Sequence, residues 1–536
     1  MNGMHVDVAV VGGGLGGVAA ALAAARAGCT VVLSEETDWI GGQLTSQAVP
    51  PDEHPWIEQF GCTASYRALR DGIRAYYRAS YPLSYAARSE HWLNPGAGRV
   101  SKLCHEPRVA LAVIESMLAP YRASGRLMVV TGYRPIDAEV DGDVVRCVTL
   151  VNVEGTTLNV SARHFLDATE TGELLPLTST AYVTGFEAQR ETGEPHAASE
   201  AQPLNMQAAS VCFAVEHRYG EDHTIERPKS YDFWREYQPP RWPDRLLSWM
   251  APDPRTLEPV TRTFLPNPDD AAQQISADQS KDAGDKELWT FRRIVARRNF
   301  VPGFLQSDVT LVNWPMIDYL EGPLFEVTPE ESERHLEGAR QLSLSMLYWM
   351  QTEAPRADGG TGFPGLRLRG DLLGTEDGLA KSAYIRESRR VRALYTVTEQ
   401  DVSHEIRGSR GAVHYDDSVG VGSYRIDLHP STGGDDYIDI PNCPFEIPLR
   451  ALVPQRTANL LPAAKNIGTT HITNGCFRLH PVEWNIGEVA GILAAFCIAE
   501  NRSPHEVANH PSVFGDLERI LHRSGVETRW PTVAGY

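Results

Sequence analysis

His5-Val-Asp-Val-Ala-Val-Val-Gly12-Gly-Gly14-Leu15-Gly16-Gly17-Val-Ala-Ala-Ala21, followed by Thr30-Val-Val-Leu-Ser-Glu35-Glu36, decides how the rest of this 536-residue chain is read. A β-branched run stops at glycines, an alanine-rich stretch with helical spacing follows, and a second apolar run ends in acid. The order is strand, turn, helix, strand. Gly12, Gly14 and Gly17 hold the G-x-G-x-x-G positions, and Glu35 lies about twenty residues beyond them, as a dinucleotide fingerprint requires. Gly12 permits the sharp exit from the strand. Gly14 lets a pyrophosphate approach the backbone, and Gly17 seats the helix close to the strand. The free N–H groups and dipole of that helix, at Leu15 and Gly16, face the phosphates. Glu35 and Glu36 are the candidate ribose acceptors.

Composition sets the outer limits. The net charge of −19 argues against nucleic acid or an anionic membrane as partner. No run reaches about 18 uninterrupted apolar residues; Ile486 to Ala499 is the best candidate, and Glu488 within it indicates a buried helix. The eight cysteines form no C-x-x-C pair, so neither a disulfide framework nor a metal site is expected. With the first strand starting a few residues after Met1, no leader is expected and a cytoplasmic location is.

Further along, Pro50 to Arg99 reads as an irregular, aromatic-rich excursion, a lid or cavity wall spanning 49–99. Pro107 opens a helix, and Arg126 to Thr131, including Val130, reads as the next parallel strand. A hairpin series occupies 135–160. Arg163-His-Phe-Leu-Asp167-Ala168-Thr169-Glu170 is another strand end. From 176 to 449 the nucleotide pattern stops, which marks a substrate domain; Glu331 to Thr352 within it has helical spacing. Gly360-Thr-Gly362-Phe-Pro-Gly365 fits G-x-G-x-x-G but follows no strand, so no second nucleotide site is expected. Tyr384-Ile-Arg386-Glu387-Ser388-Arg389-Arg390 groups three arginines. Gly420 to Pro430 alternates strictly, and as a strand it puts Arg425, Asp427 and His429 on one face.

Three segments carry a resemblance. Glu36-Thr-Asp38-Trp-Ile-Gly41-Gly42-Gln43-Leu-Thr45-Ser46 resembles the continuation found in flavoproteins of the glutathione-reductase-like FAD superfamily. Asp167-Ala168-Thr169 resembles its "hhhDATG" strand end, with Glu170 standing where glycine is usual. Asn459 to Gly491, with Asn466, His471, Arg478, His480, Asn485, Ile486 and Gly487, resembles its C-terminal FAD motif. Together with Asn313-Trp-Pro and Asp417 to His429, the chain resembles the FAD-dependent oxidoreductase family distantly related to fumarate reductase flavoprotein subunits. The resemblance implies an α/β fold: a Rossmann-like FAD-binding domain (βαβ, central parallel sheet plus β-meander) with an inserted α+β substrate domain. The FAD-binding domain is assembled from 1–48, 100–175 and 450–505, with 506–536 a C-terminal tail.

FAD is the implied cofactor. A helix beginning near Asn485 would point at the flavin pyrimidine edge, and a loop from 471 to 484 would line the ring cavity, placing His471, Arg478, His480 and Glu483 there. The expected reaction takes a hydride from a small polar or carboxylate-bearing substrate onto flavin N5. His471 or His480 serves as base, and Arg386, Arg389, Arg425 or Arg478 as clamp. A monooxygenase using an external reductant, and a flavin-binding scaffold without turnover, are the alternatives. Substrate, electron acceptor and oligomeric state stay open, a homo-oligomer included.

Overall fold

A computed structural model describes residues 3–269 and 286–533. Strand β1 (Gly3–Val11) runs into helix α1 (Leu15–Arg26), which returns to β2 (Val31–Glu35). β3 is Leu127–Thr131, and β4 (Tyr133–Asp141), β5 (Val144–Asn152) and β6 (Thr157–Asp167) form the meander. The sheet order is β3-β2-β1-β6-β5-β4; β1, β2, β3 and β6 are parallel, while β4 and β5 are antiparallel.

β6 does two jobs because it is long. Its first half pairs with β5, and its last residues, Phe165 to Asp167, pair with the distant strand Leu460–Pro462. The C-terminal segment therefore completes the nucleotide-binding sheet beside β6, on the edge away from β1, which is how a chain read in pieces closes into one layer. This is the Rossmann-like arrangement, with ligands expected at the carboxyl ends of the strands.

Helix α1 lies against the helix His480–Glu500, and small residues set the spacing. A Cβ on Gly16 would fall 2.0 Å from the Ala463 carbonyl oxygen, one on Gly487 1.9 Å from that of Gly16, and one on Gly491 2.3 Å from that of Ala20. Backbones this close bury α1 through Ala25 and the second helix through Cys497. His480–Glu500 is the one described helix long and apolar enough to cross a membrane, and 89% of its apolar window is buried inside the fold.

The central region builds a second, four-stranded antiparallel sheet from Arg293–Val295, Val309–Val312, Phe213–His217 and Leu366–Leu368. The helix Pro329–Thr352, opened by a Thr328/Glu331 capping box, packs on it through a tryptophan-rich core that includes Trp234, Trp249, Trp289, Trp314 and Trp349.

Three local expectations are corrected. The stretch 50–99 is not irregular throughout: Ala64–Ser80 is a helix capped by Thr63, whose Tyr66, Leu69, Ile73 and Tyr77 are buried at helical spacing. The alternating stretch 420–430 is two short strands, Ser418–Gly422 and Ile426–Leu428, pairing with different partners. The loop expected at 471–484 is two helices, His471–Phe477 and His480–Glu500, so the second begins at His480, not near Asn485. Thr470 caps the first helix, and Pro481 suits the opening turn of the second.

Candidate active site

The carboxyl ends of the parallel strands open onto a cavity of about 1270 Å³, above the ~300–1,000 Å³ typical of drug-sized sites and roomy enough for a dinucleotide. Its floor includes Gly12, Gly14, Gly42, Ala168 and Thr169; Glu35, Glu36, Tyr133 and Arg134 lie at one end. The central region supplies the opposite wall, including Phe325 and Arg389.

Two glycines of the floor are there for a backbone reason. Gly12 sits at φ +97°, and a Cβ on it would strike Ala168 at 2.3 Å. Gly42, at φ +49°, would place a Cβ 2.8 Å from the Cα of Gly14. The first i→i−4 bond of α1 runs from Val18 N–H to the Gly14 carbonyl, so the amides of Leu15 and Gly16 precede it in the anion-attracting first turn.

Glu35 is buried and already engaged. Its Oε2 accepts from Gly13 N–H at 2.9 Å, and its Oε1 from the Thr37 amide and hydroxyl. Burial raises its carboxyl to about 7, against those hydrogen bonds. It clamps the glycine turn, while Glu36 is exposed on the cavity wall. Thr169 and Asn466 brace the strand ends. Asp167 accepts from the Thr169 amide and hydroxyl, and the Asn466 amide donates to the Asp167 carbonyl at 3.0 Å. Thr45 donates to the Ile40 carbonyl at 2.7 Å. Gly41 (φ +108°) starts the turn, and Leu15, Gly17 and Ile486 are buried in their helices. Val130 pairs with Ser34 and is one strand removed from the cavity wall, where Tyr133 and Arg134 stand.

Gln43 links the glycine turn to a buried polar cluster. Its amide donates to Glu483 Oε2 at 2.7 Å and to the Arg478 carbonyl at 3.1 Å, while its Oε1 is buried without a hydrogen-bond partner among the described residues. Arg478 donates to Tyr384 Oη at 3.2 Å and to Asp427, and its Nε has no partner. Nη1 of Arg292 stands 3.5 Å from Asp52 Oδ1, and neither it nor Nε makes a hydrogen bond among the described residues. His480 Nδ1 accepts the Asp52 backbone N–H at 3.0 Å, leaving Nε2 buried and unpartnered. Burial and the nearby Arg292 and Arg478 charges hold His480 well below the usual imidazole range. Burial raises the Tyr384 and Tyr424 phenols even though both arginines favour ionisation, so both stay protonated.

Arg478 and His480 thus belong to one buried polar cluster, which Arg386 adjoins with its guanidinium 5.1 Å from the Tyr384 ring centroid and its Nε unpartnered, while the other expected catalytic residues are placed elsewhere. His471 donates or accepts at Glu387 Oε1 (2.9 Å) and packs 3.7 Å from the Phe186 ring. Burial opposes ionisation of Glu387, but His471 and Arg390 outweigh it and bring its carboxyl down to about 2. His429 and Arg386 share Asp318, at 2.6 and 3.0 Å. Arg425 pairs with Asp439. Arg389 lies on the cavity wall, bonded to Glu326 at 2.6 Å and to the Thr171 carbonyl at 2.9 Å.

Asp52, Arg292, Tyr384 and Tyr424 were not legible as site residues. Arg292 sits in a stretch without motif or periodicity, and Asp52 in a proline-rich one. Asn485 also reaches an unexpected partner: its amide donates to the Val419 carbonyl at 3.3 Å and its Oδ1 is unpartnered.

The floor glycines, the anion-facing helix start and the orphaned oxygens of Gln43 and Asn485 suit a bound flavin dinucleotide. In agreement, the chain belongs to the FAD dependent oxidoreductase family, whose model matches residues 7–521. FAD is accordingly its cofactor. Comparison with curated proteins by sequence gave no match. Solved structures with some similarity include an L-proline dehydrogenase from P. horikoshii (16% identity, TM-score 0.18), covering 35% of this chain and 25% of that one. Another is the glycerol-3-phosphate dehydrogenase from Bacillus halodurans complexed with FAD (15%, TM-score 0.24), covering 40% of each. A third is p-nitrophenol 4-monooxygenase from Pseudomonas putida (13%, TM-score 0.28), covering 74% of this chain and 70% of that one. The match thus spans a quarter of the first of these chains and 40% of the second.

Proposed function

Starting from membership in the FAD dependent oxidoreductase family, we propose that the chain oxidises a small, oxygen-rich, anionic substrate held between Arg292 and Arg478. The single observation that carries this reading is that both guanidinium groups keep buried N–H donors without a hydrogen bond, in the polar cluster that Gln43 joins to the glycine turn. A buried arginine without full hydrogen bonding is costly, and a carboxylate or similar oxyanion relieves that cost with paired, charge-assisted bonds.

FAD, when bound, supplies the two-electron acceptor. The chain's own residues orient the substrate and move the proton. Because a backbone N–H can only donate, Nδ1 of neutral His480 is an acceptor and its proton sits on Nε2. His480 is therefore a hydrogen-bond donor to the substrate oxygen, and the Asp52 carboxylate is the proton acceptor. The protonated phenols of Tyr384 and Tyr424 add donors. In this reading the cofactor half comprises 1–48, 100–175 and 450–505, and 176–449 forms the substrate half. All eight cysteines are free, which suits a reducing, cytoplasmic setting.

The test is anaerobic reduction of the holoenzyme by a panel of small 2-hydroxy and 2-amino acids against neutral alcohols and amines. Bleaching at the flavin band by an acid, lost in R478M and R292M, supports the reading. Equal bleaching by neutral and anionic compounds rejects it.

A further inference from the structure

Glu170 stands where the fold normally keeps a glycine, at the strand end facing the start of α1. Its Oε1 is buried and makes no hydrogen bond among the described residues. It lies 2.8 Å from where a Cβ on Gly14 would be and 2.9 Å from that of Gly42. Those two glycines are the ones whose missing side chains open the groove to a pyrophosphate. The carboxylate thus occupies the anion place itself, in front of the first helical turn.

Glu170 is held there by Lys465. The ammonium is fully buried, donates to Glu170 Oε2, and lies 3.6 Å from Glu483 Oε2. Glu483 is also fully buried, with its second oxygen unpartnered, and Glu170 and Lys465 both act on it. Two carboxylates sharing one lysine leave a net negative charge beside the phosphate position. A pyrophosphate added to that set would meet like charge at close range. Glu170 is the member able to leave: its side chain is 24% exposed on the cavity wall, whereas Lys465 and Glu483 are each 0% exposed.

We propose that Glu170 is a built-in occupant of the cofactor's phosphate place, latched by Lys465 in the cofactor-free protein and displaced when FAD binds. Displacement leaves Lys465 and Glu483 as a neutral buried pair behind the phosphates. The carboxylate pairs with the lysine and fills the place before the helix start while the groove is empty, at the expense of cofactor affinity.

The experiment measures FAD affinity of FAD-stripped protein by quenching of FAD fluorescence, with inorganic pyrophosphate as competing probe, and melting temperature with and without FAD. E170Q is expected to bind FAD at least tenfold tighter than wild type and to gain pyrophosphate competition. Its cofactor-free melting temperature falls, because Lys465 loses an ion partner. E170A should repeat the affinity gain. K465M, which keeps both carboxylates without their cation, is expected to bind FAD at least tenfold more weakly. An E170Q or E170A dissociation constant equal to or above that of wild type overturns the proposal, as does K465M binding as tightly as wild type. A residue serving stability alone would lower the melting temperature with and without FAD and leave the affinity unimproved.

Discussion

The backbone N–H of Asp52 donates to Nδ1 of His480 at 3.0 Å, joining a proline-rich stretch near the N-terminus to the first turn of a helix 428 residues later. This contact fixes the imidazole tautomer and puts an N–H, not a lone pair, at the unpartnered Nε2. H480A should lower kcat/KM by roughly 10²–10³-fold, the usual effect of removing one donor to a developing charge. H480Q, whose amide N–H can reach the Nε2 position, should recover part of it. Equal losses in both variants would mean that the donor is not what His480 contributes.

D52N separates the two parts of Asp52, since it keeps the backbone donor and loses the carboxylate. Anaerobic flavin reduction should slow by roughly 10²–10⁴-fold, the range for general base catalysis, with little change in substrate KM. Since burial holds His480 well below the usual imidazole range, no imidazole ionisation should appear in the kcat profile between about pH 5.5 and 8. Stopped-flow rates across that range, for wild type and D52N, check both points.

R478M and R292M should each raise KM by roughly 10–150-fold, corresponding to about 1.5–3 kcal/mol for a hydrogen bond to a charged group. R478K should recover little, because a point charge cannot reproduce a planar fork that also binds Tyr384 and Asp427. Steady-state kinetics with the best acidic substrate decides it.

G487A places a methyl 1.9 Å from the Gly16 carbonyl and forces apart the two helices that bracket the phosphate groove. Overpacking of this kind costs about 1–3 kcal/mol. Purified G487A should carry a substoichiometric flavin, read from absorbance near 450 nm against protein, and melt at lower temperature. Full flavin occupancy with an unchanged melting point would show that the spacing is not set by glycine.

His105 gives a pH test of stability. It is 2% exposed, and burial lowers its imidazole to about 4 from an unfolded value of about 6.5. Because the unfolded chain binds the proton more readily, this site contributes full stability above about pH 6.5 and loses it as pH falls towards 4. The loss reaches about 3 kcal/mol at pH 4. H105Q should therefore show a shallower decline in urea midpoint between pH 6.5 and 4 than wild type. Parallel curves would place the acid sensitivity elsewhere.

The sequence by itself determined the cofactor half. Gly12, Gly42 and Gly487 are constrained by backbone approach, a demand no other side chain meets, and such demands leave a fixed local spacing. Strand, turn and helix around them follow from short-range periodicity. Tertiary structure alone decided the buried polar cluster. Asp52, Arg292 and Tyr384 converge with Arg478 and His480 from stretches hundreds of residues apart, and nothing in the local pattern of a lone arginine or aspartate records the side chain it will face. The same holds for Glu170, whose departure from glycine was visible, while its grip on Lys465 appeared only once the two strand ends lay side by side. Likewise the alternation at 420–430 suggested one continuous strand, but its two halves pair with different partners. Long-range pairing, unlike period, is not written in the segment itself.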